Sequence, residues 1–221
     1  MRRGCPDRRP IMAAVTLEGL DLAALLCSRV CHDLISPVGA VVNGIEVMED
    51  DADEQTKAFA IDLIKKSANT ASARLQFCRI AFGAAGSAGA AIDLGDAEGV
   101  ARGMLEDDKT KLQWGLPRVL LPKNRVKLLL NLLLLAGGTI PRGGQLAIEP
   151  IGEGDTMGFK VTASGLNARI PPAVPTLVAG EADGPVDAHA IQPFFTGLLA
   201  RACGMSVTLA PEGEAIVLTA R

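Results

Sequence analysis

The chain has 221 residues, a formal net charge of -3 at pH 7, one Trp, no Tyr and 3% aromatic residues. That balance excludes a nucleic-acid partner, which needs a basic surface and stacking rings. With 48% hydrophobic and 21% charged residues there is core material for one large or two small domains, and five cysteines without paired spacing point to free thiols in a reducing cytoplasm.

Residues 1–16 form a leader rich in Arg, Pro and Gly, and disorder is expected there. The start is basic, but Glu18 and Asp21 interrupt the apolar run that a signal peptide needs. The longest apolar run, 128–136, contains Asn131 and is too short to span a bilayer, so no membrane partner is expected.

From 17 to 48 the spacing predicts a long helix. Leu20, Ala24, Cys27, Cys31, Leu34, Val38, Val41, Ile45 and Met48 recur at steps of three and four, the seam of a helix packed along another. Cys27 and Cys31 read as small core residues on that seam. His32 follows a seam position, so a turn of about 100° places it on the flank, with Asp33 next to it. Pro37 removes one intrahelical hydrogen bond and predicts a kink a turn past the histidine. An acidic turn follows, with Asp51 or Asp53 as the N-cap of a second helix, 54–82. Ile61, Ile64, Ala68, Ala71, Leu75, Cys78 and Phe82 repeat the spacing there. The two helices make an antiparallel hairpin, 17–83, whose apolar stripe it cannot bury alone; a homodimer forming a four-helix bundle is expected.

The glycine-rich run 83–89 lacks the Gly-Lys-Ser/Thr ending of a phosphate loop and reads as a linker, assigned to 84–91. Beyond it, 92–221 alternates helix and strand. Helices are predicted at 96–106, 123–135 (ended by Gly137-Gly138) and 188–202, and strands at 111–116, 145–151 and 158–163. The chain should end in a hairpin of 205–210 and 214–220 across Pro211-Glu212-Gly213. Helices on one face of a mixed sheet are the economical packing, which makes the fold class α+β.

The string Ser28-Arg29-Val30-Cys31-His32-Asp33-Leu34-Ile35-Ser36-Pro37 resembles the H-box of sensor histidine kinases, where a phospho-accepting His is followed by an acid, three residues and Pro. The resemblance implies that His32 is the phospho-acceptor. It leaves Asp33 either as the acid that orients the ring or as a solvated helix acid. The helix face around the His should then dock a partner: Ser28, Arg29, Ile35 and Ser36 lie one turn away, Leu25 and Gly39 two turns away. His189 has no H-box around it and reads as an ordinary surface residue.

The C-terminal part is similar to the Bergerat or GHKL-type ATP-binding domain of the same kinases, an α/β sandwich, but in degenerate form. Asn131 matches the family's N-box helix, yet the second Asn, which helps hold Mg²⁺, falls at Leu135. The adenine-binding Asp falls at Ala163, the second Gly of that motif at Asn167, and the glycine-rich lid is reduced to Thr196-Gly197-Leu198-Leu199. A methyl or isobutyl group supplies no oxygen to a hard cation or an amine. A retained His with lost ATP motifs resembles the ChpT-like histidine phosphotransferases of alphaproteobacteria. That resemblance implies a dimeric phosphorelay shuttle serving cell-cycle control. It would take a phosphoryl group from the receiver domain of a hybrid histidine kinase and pass it to the receiver domains of response regulators. No cofactor is implied in this chain, since the receiver brings the Mg²⁺. Two other readings stand beside it: a dimeric non-catalytic pseudokinase scaffold, and an active kinase with divergent ATP motifs.

Overall fold

The computed structural model describes residues 16–50, 53–83, 90–181 and 184–221. The expected leader up to residue 15, the cap candidate Asp51 and most of the expected linker lie outside them. Two long helices open the described chain: α1 (Gly19–Glu49) and α2 (Glu54–Ala81), packed against each other as an antiparallel hairpin. Asp53 caps α2. Its carboxylate accepts a hydrogen bond from the Thr56 amide at 2.8 Å, and that bond holds it below the usual carboxylate range.

α1 runs unbroken through Pro37, which is buried. A proline has no N–H, so the carbonyl of Asp33, four residues earlier, loses its helical donor. Arg74 of α2 fills that place, with Nη1 donating to the Asp33 carbonyl at 2.6 Å. The proline is therefore paired with a long-range clasp between the helices.

The expected seams straddle two faces. Leu34, Val41 and Met48 are half-buried against α2, but Leu20, Ala24, Cys27, Cys31, Val38 and Ile45 are exposed on the single chain. Cys27 and Cys31 are thus not core residues of the protomer. On α2, Cys78 is buried, Ile64, Ala71 and Phe82 are half-buried, and Ile61, Ala68 and Leu75 are exposed. The residues of α1 that are fully buried, Pro37 and Gly44, each lie one position off the predicted line. By length and composition α1 is also long and apolar enough to cross a membrane. A search for unbroken apolar runs did not anticipate this, because Arg29, His32 and Asp33 divide the helix.

The rest of the chain gives β1 (Ala91–Asp93), α3 (Leu94–Leu105), β2 (Thr110–Trp114), β3 (Leu120–Pro122), α4 (Lys123–Thr139), β4 (Gly144–Ile151), β5 (Gly158–Ser164), α5 (Val174–Ala179), α6 (Ile191–Ala202), β6 (Val207–Glu212) and β7 (Ala215–Ala220). The main sheet has the order β2-β4-β5-β7-β6, parallel between β2 and β4 and antiparallel elsewhere; β1 and β3 form a separate antiparallel pair. One face of the sheet presents Leu146, Ile148, Phe159, Val161, Ala163, Ile216 and Leu218 to α4, all buried; the other carries Gln145, Glu149 and Thr208. The fold is α+β, with helices over one face of a mixed sheet.

Several details differ from the sequence reading. α4 runs through Gly137-Gly138 to Thr139, since burial of its leucines outweighs the poor propensity of two glycines. The last turn is Gly213-Glu214, with Gly213 at φ 61°, and Pro211 lies within the edge strand β6, where a missing donor is tolerated. The short β1, β3 and α5 were not predicted. α2 also reaches past the hairpin: Phe77, Ile80 and Ala81 share one core with Leu94, Leu128, Leu132 and Phe159. A second cluster, Leu177, Val186, Ile191 and Phe194, packs against Leu17, Leu22, Leu25 and Leu26. The sheet domain therefore leans on the first turns of α1, beside His32.

Candidate functional site

His32 stands on α1 with 61% of its side chain exposed, while the neighbouring Asp33 side chain is only 11% exposed. That difference is a helix-face effect: one step around the axis carries a side chain from open solvent to the boundary with α2. Asp33 is held there on both sides. Arg29, one turn earlier, donates Nε–H to its Oδ2 at 3.0 Å, and His32 Nδ1 lies 3.5 Å from its Oδ1. Its backbone carbonyl takes the Arg74 bond described above. The Asp33 side chain is thus mostly covered and bonded to Arg29. Under it lies Cys78 of α2, whose thiol is pushed up to about 11 by burial and then by the Asp33 carboxylate.

This arrangement gives the imidazole a direction. Nδ1 is the ring nitrogen set toward the Asp33 carboxylate, 3.5 Å from its Oδ1. The imidazole itself is mostly open to solvent on α1.

The predicted docking face is only partly available. Ser28 and Ser36 are exposed, Ile35 is 72% exposed, and the space over Gly39 is open. Arg29 is engaged with Asp33. Leu25 is half-buried and packs into the cluster of Leu177, Val186, Ile191 and Phe194, so its side chain is turned to the C-terminal domain rather than to a partner. Sequence reasoning also missed His189. It is exposed, as expected, but its ring lies with its centroid 5.1 Å from that of His32, at 79° to it. Nothing in the local sequence around residue 189 signals this contact, which joins positions 157 residues apart. Among the described residues no three His, Cys, Asp or Glu side chains converge as a metal site.

Comparison with known proteins agrees with the geometry. Residues 94–215 match the model of the histidine phosphotransferase C-terminal domain, more than half of the chain. The chain belongs to the histidine phosphotransferase family. It is 53% identical over 208 residues to protein phosphotransferase ChpT of Brucella abortus (strain 2308), covering 93% of this chain and 98% of that protein. A solved bacterial phosphotransferase superposes with a TM-score of 0.85 at 50% identity, covering 94% of this chain and 99% of that one. Phosphotransfer is accordingly the activity of this histidine phosphotransferase, and its place is in two-component phosphorelay chemistry.

Within the phosphotransferase, most positions that resemble kinase ATP motifs are used for packing, Asn167 being the exposed exception. Asn131 is fully buried; its amide donates to the carbonyls of Ala81 at 3.1 Å and Lys127 at 2.9 Å. Gln192 of α6 donates to the Asn131 carbonyl at 3.0 Å and reaches Asn131 Oδ1 at 3.2 Å and Thr196 Oγ1 at 3.1 Å. Ala163 and Thr196 are fully buried, and Leu135 is nearly so. Gly197, in the stretch that resembles the lid, lies so close to the Val178 carbonyl that a Cβ there would collide with it. The lid stretch is a helix clamped between α4 and α5.

Proposed function

We propose that this protein is a phosphorelay shuttle that receives a phosphoryl group on His32 from the aspartyl phosphate of a hybrid kinase receiver domain and passes it to the receiver domains of response regulators. The observation that carries the reading is the exposed His32 ring, with Nδ1 3.5 Å from the Asp33 carboxylate. Nε2 attacks phosphorus in line. The P–N bond forms as the P–O bond to the receiver's Asp breaks, and that Asp leaves as its carboxylate. The Nδ1 proton stays on the ring, now a cation, and the Asp33 carboxylate neutralises it. Transfer onward is the reverse step to a second receiver. The chemistry asks mainly for positioning and charge stabilisation, and the receiver supplies Mg²⁺ and its own cation.

Two copies assemble through the exposed stripe of the hairpin into a four-helix bundle, and residues 92–221 act as a degenerate ATPase-type domain that does not use ATP. The buried state of Asn131 and Ala163 supports that last point, because neither side chain is open to a nucleotide. The five cysteines suit the cytoplasm, where they stay reduced.

The test is incubation with a phosphorylated receiver domain. Acid-labile label should appear on the protein, and His32→Ala should lower transfer by at least about a thousandfold with receiver binding largely retained. Transfer through His32→Ala at the wild-type rate sinks the mechanism. Receiver binding without label on the wild type establishes the scaffold, and autophosphorylation from ATP with Mg²⁺ establishes the kinase.

A further inference from the structure

His189 is a second imidazole at the proposed phosphoryl site, carried by a turn that is bonded to itself and packed on α1. Asp187 accepts hydrogen bonds from the amides of His189 at 2.9 Å and Ala190 at 2.8 Å, and these bonds hold its carboxyl below the usual range. The turn so formed starts α6, and the Ile191 amide closes it on the Asp187 carbonyl at 2.9 Å. On either side of His189, Val186 and Ile191 are buried in the cluster that packs on α1. Its backbone is thus anchored on both sides, and its exposed ring stands against His32 with centroids 5.1 Å apart. Among the described residues, the charged groups joined to this pair include Asp33 and its partner Arg29 on α1, Arg74 of α2 on the Asp33 carbonyl, and Asp187 in the turn.

We infer that His189 is a positioning residue for the phosphoryl group: as an imidazolium it faces the phosphate carried by His32 and draws the equilibrium between receiver and His32 toward His32. The inference rests on His32 as the acceptor. The physical reason is charge. A phosphoryl group brings nearly two negative charges at neutral pH. A neutral imidazole about a ring's width away takes one proton from water to meet it, with no further covalent step. The C-terminal domain thereby acts on the chemistry of α1, although it carries no acceptor of its own.

The experiment uses the full chain with His189→Ala, His189→Gln and His189→Arg. Each is brought to equilibrium at pH 7 with a phosphorylated receiver, and label on the two proteins is separated by acid and base stability. Ala and Gln should each lower the share on His32 about tenfold relative to the receiver, and Arg should restore it to within about twofold, since charge rather than ring shape is what counts. Gln keeps a hydrogen-bonding side chain, so a merely structural role predicts that Gln rescues and Arg does not. On the wild type, ¹⁵N shifts of the His189 ring at pH 7 should move toward the doubly protonated form when His32 is phosphorylated; this measurement decides even if a variant folds poorly. Normal label on His32 with unmoved ¹⁵N shifts, or unchanged equilibria in all three variants, overturns the inference. Absence of label on His32 in the wild type overturns the acceptor reading itself.

Discussion

Two apolar helices of this protein meet opposite fates. α4 buries ten of its 17 residues, including six leucines, beneath the sheet and the neighbouring helices. α1 has 31 residues and buries only Pro37 and Gly44. Between Leu20 and Ile45 it leaves exposed a line of apolar or small side chains at helical spacing: Ala24, Cys27, Cys31, Ile35, Val38 and Val42. Hydrophobicity is therefore a poor guide to burial within one chain; what decides is whether the chain supplies a second surface. The sheet domain buries its apolar face beneath its own helices and the end of α2. The hairpin leaves much of its stripe uncovered on the single chain, and exposed contiguous apolar faces of that kind mark assembly surfaces.

The contrast can be broken most severely in α4. Leu130→Asp places an unpaired charge where there is no water, at a cost of several kcal/mol, comparable with a domain's whole stability. Circular dichroism should show no cooperative melt; a native-like melt would mean that α4 is not the core it is taken to be.

The same kind of change in α1 should spare the fold and remove the assembly. Val42 is 49% exposed on the single chain, so Val42→Glu should leave the melting of the sheet domain nearly native while light scattering falls from twice the protomer mass to one. A single mass for the wild type, or a double mass for the variant, removes the bundle. Thiol chemistry sharpens this. At pH 8 a thiol pushed up to about 11 is ionised to only ~0.1%, so Cys78 should resist alkylation in both states and begin to react as pH rises toward 11. Cys27 and Cys31 should be protected in the dimer and labelled quickly in Val42→Glu.

A smaller effect is expected where the helices clasp. Arg74→Ala leaves the Asp33 carbonyl, already without a helical donor because of Pro37, unpaired at a partly buried position, and stability should fall by about 1–3 kcal/mol. Denaturant melts measure it. If Pro37→Ala largely rescues Arg74→Ala, the carbonyl is the cause; equal losses with and without Pro37 would mean that Arg74 works through something else.

The smallest change is at the cap of α2. Asp53 sits below the usual carboxylate range in the folded protein, so its contribution is fully present above the unfolded value of about 4 and is lost as pH falls through the folded one. Asp53→Ala should lower the melting midpoint slightly at pH 7, and the gap to wild type should close well below pH 4. A gap that persists in strong acid would mean that the cap acts without its charge.

Much of this was legible in the residues. Three-four spacing fixed two helices and their turn, and His32, Asp33 and Pro37 in one string marked α1 as the candidate site helix, because helical periodicity and local motifs live within a few residues of one another. The alternation of strand and helix after residue 90 likewise made the sheet domain readable, apart from its short elements and the run of α4 through two glycines. What the spacing could not say was which line on α1 meets α2, that Leu25 is covered by the C-terminal domain, or that Asn131 is locked by Gln192. Nor could it pair Arg74 with the Asp33 carbonyl or bring His189 to His32. Periodicity gives a helix its faces and leaves open what covers each of them, since that depends on chain segments 40 to 160 residues away, placed by packing of the two cores.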